Sequence, residues 1–459
     1  MTRPELLAPA GSLAMMRTAF AYGADAVYAG QPRYSLRVRN NDFGRIDTLA
    51  AGIAEARAAG KAFYLVSNIY PHNAKLRTYL ADMEEVVALG PDALIMADPG
   101  LIMLVRERWP ALPIHLSVQA NTTNYAAVRF WQAAGVKRII LSRELSLDEV
   151  VEIRDACPDM ELEVFVHGAL CIAYSGRCLL SGYFNHRDPN QGSCTNSCRW
   201  DYRLHGAEEN GAGDLLASGG PALGNPKHLG TVGTAVQGPP ALGGGPRHIG
   251  GSKVWLLEEG SRPGELMPVE EDEHGTYILN SRDLRAIEHV QRLVEIGVDS
   301  LKIEGRTKSP YYVARTCQSY RRAIDDALAG RPFDPHLLGE LEGLANRGYT
   351  DGFYERHHTP EHQNYLRGHS ESGRSLYVGD LAGFDAARGL AEVAVKNAFG
   401  RGDRLEFVQP AGNVTLTVDR LEDADGQTID RVPGSGHRAW LPLPAGVDPA
   451  APCFIARFL

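Results

Sequence analysis

The sequence predicts an α/β protein, with a TIM-like (β/α) barrel over residues 1–330 and a small C-terminal β-barrel domain over residues 375–459. In the first part, short apolar runs alternate with helix-like runs of about ten to fifteen residues, and glycines mark the helix ends. In the last part, short strand-like runs are separated by turn residues. Apolar strands that can be buried on both faces indicate a parallel sheet, and eight of them indicate a closed barrel, with a doubly wound open sheet as the alternative.

The barrel strands are predicted from eight apolar runs along the chain. They are Glu5–Leu7, Ala26–Ala29, Phe63–Ser67, Ala93–Ala97, Ile114–Val118, Arg138–Leu141, Leu162–Val166 and Leu301–Glu304. Tyr277–Leu279 is counted as an additional candidate strand. Ser12 is expected to cap a helix that runs to Tyr22, and a helix over Tyr311–Leu328 is expected to close the barrel domain.

The C-terminal domain is predicted from six short runs that follow a connector over residues 331–374. They are Ser375–Val378, Leu390–Val395, Arg404–Val408, Val414–Val418, Ala439–Pro442 and Phe454–Phe458. Small β-barrels are frequent nucleic-acid-binding modules. This one contains no aromatic RNA-binding motif and no continuous basic stripe, so its sequence is weak evidence for an RNA role.

A segment of different composition interrupts the first domain over about residues 206–265. It is rich in glycine and proline and lacks hydrophobic periodicity. Such a segment cannot bury enough apolar surface to offset the entropy lost on ordering. The sequence therefore predicts a flexible insertion here.

The overall charge limits the classes of function. The formal net charge is −9, and an acidic protein is a poor candidate for indiscriminate nucleic-acid binding, so any RNA contact must come from a local basic patch. The chain contains no run of about eighteen apolar residues and does not begin with an apolar signal core. We therefore expect a cytoplasmic protein with no membrane partner, in which disulfides are not expected.

Four of the seven cysteines fall in one glycine-containing stretch directly after the predicted strand Leu162–Val166. They are Cys171, Cys178, Cys194 and Cys198, spaced C-x6-C-x15-C-x3-C. An iron–sulfur cluster tolerates such irregular spacing when four thiolates converge, whereas zinc usually shows paired C-x2-4-C spacing. Unrelated buried cysteines are the third interpretation. Cys157, Cys317 and Cys453 stand alone and are expected to be packing residues.

Polar side chains gather just after the carboxyl ends of the predicted strands, where a TIM barrel carries its chemistry. The predicted substrate-binding residues are Arg37, Arg39, Asn41, Asn68, Gln119, Asn121 and Arg306. The predicted catalytic residues are His167, Lys302 and Glu304. Arginine forks such as those of Arg37 and Arg39 suit carboxylates and phosphates. For each residue, a solvated rim position is the structural alternative.

Strand alternation makes two further predictions about these charged groups. It places Lys302, Glu304 and Arg306 on one inward face, where buried charges require partners, so an internal ion network is expected. It also places Glu163 on the same strand face as His167, which makes Glu163 the expected partner of the imidazole. That imidazole is interpreted as a proton shuttle, a hydrogen-bond donor to the cluster or a satisfied core histidine.

The motif around these cysteines resembles a known family. The run EVFVHGALC over Glu163–Cys171, followed by SGRCLLS over Ser175–Ser181, resembles the signature of peptidase family U-32, the collagenase-like peptidases. The run CTNSCRW that begins at Cys194 is similar to a tRNA-hydroxylating branch of that family. The resemblance covers nearly the whole chain apart from the insertion.

The resemblance implies a four-iron four-sulfur (4Fe-4S) cluster, tRNA as a partner and 5-hydroxyuridine at the wobble position as the product. It also implies prephenate, a small-molecule dicarboxylate, as co-substrate. Many family members have a cysteine where this chain has Arg285. The resemblance therefore assigns the fourth cluster ligand to Cys198, and it implies a C-terminal domain similar to the second domain of translation factors.

Two other classes of function stay open. The family name suggests a peptidase, although the sequence contains no G-x-S-x-G and no H-E-x-x-H motif. Cys171 could act as its nucleophile with His167 only if the thiol were free of metal. The third class is a non-catalytic RNA-binding protein with a structural zinc.

Overall fold

The barrel prediction is confirmed by a computed structural model of the chain. The structure describes residues 2–31, 33–36, 41–170, 283–306, 308–344, 349–355 and 375–459, together with four strands between residues 202 and 269. Among these residues, eight strands pair in parallel, seven in chain order from Glu5–Pro9 to Glu161–Ala169 and then Ser300–Ile303. The ring closes because Ser300–Ile303 pairs with both Glu5–Pro9 and Glu161–Ala169. The open-sheet alternative is therefore wrong.

Each predicted barrel strand corresponds to an observed one. The strands are β1 (Glu5–Pro9), β2 (Ala26–Gly30), β3 (Ala62–Ser67), β4 (Ala93–Met96), β5 (Ile114–Leu116), β6 (Arg138–Ile140), β7 (Glu161–Ala169) and β13 (Ser300–Ile303). Most of their residues are buried, as expected for strands covered by helices outside and side chains inside.

Helices follow the strands and cover the outside of the barrel. They are α1 (Leu13–Ala21), α2 (Ile46–Ala58), α3 (Asn73–Ala88), α4 (Pro99–Arg108), α5 (Tyr125–Ala133), α6 (Leu147–Ala156), α7 (Val290–Ile296), α8 (Pro310–Leu328) and α9 (His336–Glu342). The predicted cap is present, since the Ser12 hydroxyl accepts from the amide of Met15 at 3.2 Å. Ser309 caps α8 in the same way.

Two short strands extend the sheet next to β7. β12 (Asp283–Arg285) runs antiparallel to β7, and β14 (Tyr349–Thr350) pairs with β12. Because β7 is longer than its neighbours, its last residues extend beyond the barrel and pair with β12. The candidate strand over Tyr277–Leu279 lies outside the described residues.

The prediction of a flexible insertion is wrong at both ends. β8 (Tyr202–Glu209), β9 (Leu215–Ala217), β10 (Trp255–Glu259) and β11 (Leu266–Val269) form an antiparallel sheet in the order β11-β10-β8-β9. Strand-forming runs flank the glycine-rich centre, and the compositional average over the whole segment conceals them. Residues 218–254 lie outside the described part of the chain.

The C-terminal domain, predicted as a small β-barrel from six strands, is an antiparallel sheet domain. Its main strands are β15 (Ser375–Asp385), β16 (Leu390–Val395), β18 (Arg404–Gln409), β19 (Gly412–Thr417), β21 (Arg438–Pro442) and β22 (Phe454–Phe458), and β17 (Phe399–Gly400) pairs with β20 (Arg431–Val432). The sheet order is β19-β18-β22-β15-β16-β21.

The C-terminal domain packs directly on α1 and α8 of the barrel. Tyr311 stacks on Tyr377 with ring centroids 4.8 Å apart. The Tyr22 hydroxyl lies 2.8 Å from the carbonyl oxygen of Val408. Arg315, which is buried, forms an ion pair with Glu406. Apolar, hydrogen-bonded and ionic contacts together hold the domain against the barrel.

Within the described residues, no helix is long and apolar enough to span a membrane.

Candidate active site at the barrel mouth

The barrel interior contains a buried ion network. Arg138 on β6 reaches across the barrel and donates to Glu5 on β1 at 2.6 Å. It also lies 3.4 Å from Glu163 on β7, and Glu163 accepts from Lys302 on β13 at 2.7 Å. Tyr64 donates to the second oxygen of Glu5 at 2.6 Å. The predicted internal network is therefore confirmed, but the partner of Lys302 is Glu163 rather than its sequence neighbour Glu304.

Burial and charge both shift the pKa values in this interior. Burial lowers the pKa of the Lys302 ammonium from its ordinary value, and the carboxylate of Glu163 acts in the opposite direction. Burial alone would lower the pKa of Arg138, but Glu5 and Glu163 outweigh it and raise that pKa. Burial, and then the nearby cations Arg138 and Lys302, hold the pKa of His115 well below its ordinary value, so its imidazole is neutral.

Above this network, three charged side chains surround the ring of Tyr28. The Lys302 ammonium lies 4.4 Å and the Arg306 guanidinium 5.9 Å from the ring centroid. The Tyr28 hydroxyl lies 3.4 Å from a carboxylate oxygen of Glu304. Lys302, Glu304 and Arg306 thus share one side as predicted, although β13 ends at Ile303 and the last two belong to the following loop.

Arg143, in the loop after β6, brings a further cation to the mouth. Its guanidinium lies 3.7 Å from the ring centroid of Phe165 and 3.8 Å from a carboxylate oxygen of Glu304. An arginine that stacks on an aromatic face and only loosely pairs with a carboxylate keeps donors for an anionic ligand. Arg143 is absent from the predicted site residues, although it lies directly after the predicted strand Arg138–Leu141 and shortly before Ser146, which caps α6.

Arg306 and Asn41 pack tightly against the end of β2. Arg306 donates to the carbonyl oxygen of Leu36, and Asn41 donates through its amide nitrogen to the carbonyl oxygen of Gly30. A Cβ added at Gly30 would lie 2.5 Å from the Arg306 guanidinium, which therefore occupies the space next to the backbone of this glycine. The side-chain oxygen of Asn41 is buried and has no partner among the described residues.

The remaining predicted polar residues lie along the loops after β3 and β5. Asn68 accepts from the amide of Leu36 and donates to the Ser117 hydroxyl, both at 3.1 Å. Asn121 has a left-handed φ of 54° and lies 3.0 Å from the Ser142 hydroxyl through its side-chain oxygen. Gln119 uses its backbone carbonyl to accept from Tyr70. Asn68 and Asn121 therefore connect neighbouring loops of the mouth.

His167 does not lie where strand alternation predicts. β7 pairs with β13 through Phe165 and Lys302, but the next pair is His167 with Ile303, so one extra residue is present on β7. Such a bulge moves the following side chain to the opposite face of the sheet. Glu163 therefore faces the barrel interior, whereas His167 packs against α8. The predicted pairing of Glu163 with His167 is wrong.

The imidazole of His167 is enclosed by three tyrosines. Its ring centroid lies 5.7 Å from that of Tyr312, 5.5 Å from that of Tyr320 and 5.4 Å from that of Tyr349. Nδ1 lies 3.4 Å from the Tyr320 hydroxyl, and Nε2 is buried with no partner among the described residues. Burial, aided by Lys308 and Arg285, lowers the pKa of His167 to about 3, so the ring is neutral at physiological pH.

The cysteine loop and part of the β2 loop lie outside the described residues. This applies to Cys171, Cys178, Cys194 and Cys198, and to Arg37 and Arg39. β7 ends at Ala169, on the same side of the barrel as Glu304 and two residues before Cys171 in the sequence. Gly168 has a left-handed φ of 105° and packs against the backbone of Glu304. A Cβ added at Gly168 would lie 2.4 Å from the carbonyl oxygen of Glu304.

Comparison with known proteins decides the family. The model of peptidase family U32 matches residues 11–364, and that of the peptidase family U32 C-terminal domain matches residues 374–452. The chain belongs to peptidase family U32. The resemblance in the cysteine motif is therefore confirmed, and the barrel and the C-terminal sheet are the two parts of this U32 protein.

Curated U32 relatives align along nearly the full chain. A protein of Escherichia coli (strain K12) named tRNA hydroxylation protein P is 58% identical, covering 98% of this chain and 95% of the relative. A protein of the same name from Haemophilus influenzae is 54% identical, with coverage of 97% and 94%. A collagenase of Porphyromonas gingivalis is 26% identical, with coverage of 97% and 96%. This U32 chain therefore includes the domains of these relatives.

Proposed function

We propose that this protein is a tRNA-modifying enzyme that hydroxylates carbon five of the wobble uridine to give 5-hydroxyuridine. The observation that carries the proposal is the 58% and 54% identity, over nearly the full length, to two proteins named for tRNA hydroxylation. Prephenate, a dicarboxylate, is the proposed co-substrate.

The proposed cofactor is one 4Fe-4S cluster held by Cys171, Cys178, Cys194 and Cys198. The donor chemistry supports this choice, because cluster ligands must be thiolates. The three described cysteines are all buried and unsuited to that role. Burial raises the pKa of Cys453 to about 12 and raises that of Cys317 even more. The four loop cysteines remain as the donor set, and a bound cluster supplies one-electron redox chemistry.

The mouth residues have distinct roles in this proposal. Arg143 and Arg306 bind the carboxylates of the co-substrate, since guanidinium groups pair with carboxylates in a bidentate manner. Glu304, which lies 3.8 Å from the Arg143 guanidinium, is the proposed proton acceptor. Lys302 lies below the mouth, where its ammonium donates to the Glu163 carboxylate at 2.7 Å. It therefore sets the charge balance beneath Glu304. His167 acts as a neutral positioning group behind β7.

Gene deletion followed by mass spectrometry of bulk tRNA tests the proposed function. In an organism without a second hydroxylase, deletion should remove 5-hydroxyuridine-derived nucleosides, and the wild-type gene should restore them. Each Cys→Ala variant should fail to restore them and, when purified without oxygen, should lack the iron, sulfide and visible absorbance of the wild type. Arg37→Ala and Arg39→Ala should fail with the cluster intact. Unchanged tRNA in the deletion strain would contradict the proposal.

A collagenase-like peptidase is the second candidate, supported by the 26% identity to a protein named collagenase. A peptidase that used Cys171 as nucleophile would need a thiol free of metal. The two candidates therefore differ in a simple assay: peptide cleavage by metal-free protein, abolished by Cys171→Ala, would favour the peptidase. Retention of zinc without iron by anaerobically purified protein would instead favour a structural zinc site.

A further inference from the structure

Asn41 holds its side-chain oxygen in a fixed position at the barrel mouth. The amide nitrogen donates to the carbonyl oxygen of Gly30, the last residue of β2. This bond sets the orientation of the amide group, so that Oδ1 faces away from Gly30. Oδ1 is buried and has no hydrogen-bond partner among the described residues. An acceptor enclosed without a donor is unfavourable, and proteins retain one where water, an ion or a ligand supplies the donor.

A buried oxygen of this kind does not identify a binding site by itself. Oδ1 of Asn413 is also buried and lacks a partner within the described part of the chain. Asn413 lies on β19, in the C-terminal sheet and therefore in a different domain from the mouth. What distinguishes Asn41 is the set of polar groups beside it.

The groups beside Asn41 form a row of polar side chains along the mouth. A Cβ built on Gly30 would lie 3.3 Å from the Asn41 amide nitrogen and 2.5 Å from Nη1 of Arg306, so these two side chains meet at Gly30. The Arg306 guanidinium lies 5.9 Å from the ring centroid of Tyr28. The Tyr28 hydroxyl lies 3.4 Å from a carboxylate oxygen of Glu304. The contacts therefore run from an acceptor on Asn41, through the donors of Arg306, to the carboxylate of Glu304.

One edge of uracil carries complementary groups in the same order. N3–H is a donor, O4 is an acceptor, and C5 is the carbon that the proposed reaction modifies. Cytosine has an acceptor at N3 and a donor at N4, so it opposes the row at both positions. Proteins read unpaired and flipped bases through hydrogen bonds to this edge. The row of polar groups therefore fits uracil and disfavours cytosine.

We infer that Asn41 selects uracil at the barrel mouth, with its side-chain oxygen accepting a hydrogen bond from N3–H of the base. Arg306 donates to O4, and C5 then faces Glu304. The inference rests on the proposed function and adds the residue that sets the base specificity. A guanidinium has five N–H donors, so Arg306 can contact O4 of the base as well as a carboxylate of the co-substrate.

Binding of three RNA stem–loops to the full-length protein tests the role of Asn41. The stem–loops differ only at one unpaired position, which is uridine, 3-methyluridine or cytidine, and the last two bases lack N3–H. The wild type should bind the uridine stem–loop roughly tenfold more tightly than the 3-methyluridine one, and cytidine should bind at least as weakly, because losing a hydrogen bond to a base edge has an effect of this size. Asn41→Ala should bind the uridine and 3-methyluridine stem–loops with equal affinity. Fluorescence anisotropy with labelled RNA measures these affinities.

The matched control is Asn413→Ala, which also removes a buried side-chain oxygen but from the C-terminal sheet. It should keep the wild-type preference for uridine, and melting temperatures check that both variants are folded. Equal binding of uridine and 3-methyluridine by the wild type, or an unchanged preference in folded Asn41→Ala, would overturn the role of Asn41 and leave the proposed function standing. Failure of the wild type to bind any of the three stem–loops would overturn the proposed function as well.

Discussion

Glu163 balances two cations in the barrel interior, since it accepts from Lys302 at 2.7 Å and lies 3.4 Å from Arg138. It is fully buried, and Lys302 is buried beside it. A buried charge without its partner is strongly unfavourable, because neither water nor an opposite charge compensates for it. The fold near the mouth therefore depends on this one carboxylate.

Glu163→Ala should lower the free energy of unfolding by about 3–5 kcal/mol, the usual effect of leaving a buried charge unpaired. Urea denaturation monitored by circular dichroism measures it. Glu55→Ala is the control, because its exposed pair with Arg17 should contribute at most about 1 kcal/mol. Equal losses in the two variants would show that the interior pair does not stabilise the barrel.

The neutral imidazole of His167 makes stability depend on pH. Its pKa is about 3 in the folded state, below the ordinary value of about 6.5 that applies when the chain is unfolded. Between these values the unfolded chain binds the additional proton, so the stability contributed by the neutral ring is lost as the pH falls from about 6.5 towards 3. Among the groups that face the ring, Lys308 and Arg285 disfavour its protonation. Burial raises the pKa values of the Tyr312 and Tyr320 phenols, which stay neutral in this range.

His167→Gln should remove this part of the pH dependence. As the pH falls below about 6.5, the free energy of unfolding of the wild type should decrease more steeply than that of the variant. The difference in slope should be at most about 1.4 kcal/mol per pH unit. Denaturant unfolding at a series of pH values measures the difference. Replacing the exposed His336 with Gln is the control and should leave the wild-type slope unchanged. Parallel curves for wild type and His167→Gln would contradict a buried neutral imidazole.

At the scale of the element, β7 connects the barrel to the cysteine loop. Its bulge before His167 and its left-handed Gly168 direct the chain past the loop that contains Glu304. A bulge re-aims the side chains that follow it. The described chain that ends at Leu170 therefore leaves the strand at a position fixed by close backbone packing.

Gly168→Ala should destabilise the protein by several kcal/mol, because φ is 105° and the added Cβ would lie 2.4 Å from the backbone carbonyl oxygen of Glu304. Thermal unfolding measures the loss. Gly60→Ala is the matched control: Gly60 also has a left-handed φ, of 65°, but nothing lies within 4 Å of its added Cβ. The Gly60→Ala substitution should lower the free energy of unfolding by about 1 kcal/mol. A Gly168→Ala variant no less stable than Gly60→Ala would show that the close approach to Glu304 is absent.

The barrel strands could be predicted because each is a short apolar run between helices, and this pattern is local. The bulge in β7 could not, since one additional residue leaves no mark on composition or alternation. The partner of Lys302 could not be predicted either, because Glu163 comes from a strand far away in sequence. The average composition of the insertion predicts flexibility, but this average hides the pairing of the strands Trp255–Glu259 and Tyr202–Glu209.

At the scale of the whole molecule, the C-terminal domain is joined to the barrel by a buried ion pair. Glu406→Ala would leave the buried Arg315 without its carboxylate and should lower stability by about 3–5 kcal/mol. Calorimetry of this variant should also resolve two unfolding transitions, one for each domain. Glu392→Ala, which removes an exposed pair with Arg438, should have an effect of at most about 1 kcal/mol. A single unshifted transition in Glu406→Ala would contradict an interface that couples the domains.

We propose that this U32 protein modifies tRNA at the barrel mouth, and substitution of Arg143 tests this proposal. Arg143 lies at the mouth on Phe165 and near Glu304, away from the cysteine loop in sequence. The measurement is the 5-hydroxyuridine-derived nucleoside content of tRNA, by mass spectrometry, in a deletion strain that expresses Arg143→Ala or the exposed-helix control Arg129→Ala. We predict a loss of roughly tenfold or more for Arg143→Ala, with iron content and melting temperature unchanged, because a charged hydrogen bond contributes about 1.5–3 kcal/mol. Wild-type nucleoside levels in both strains would contradict the claim.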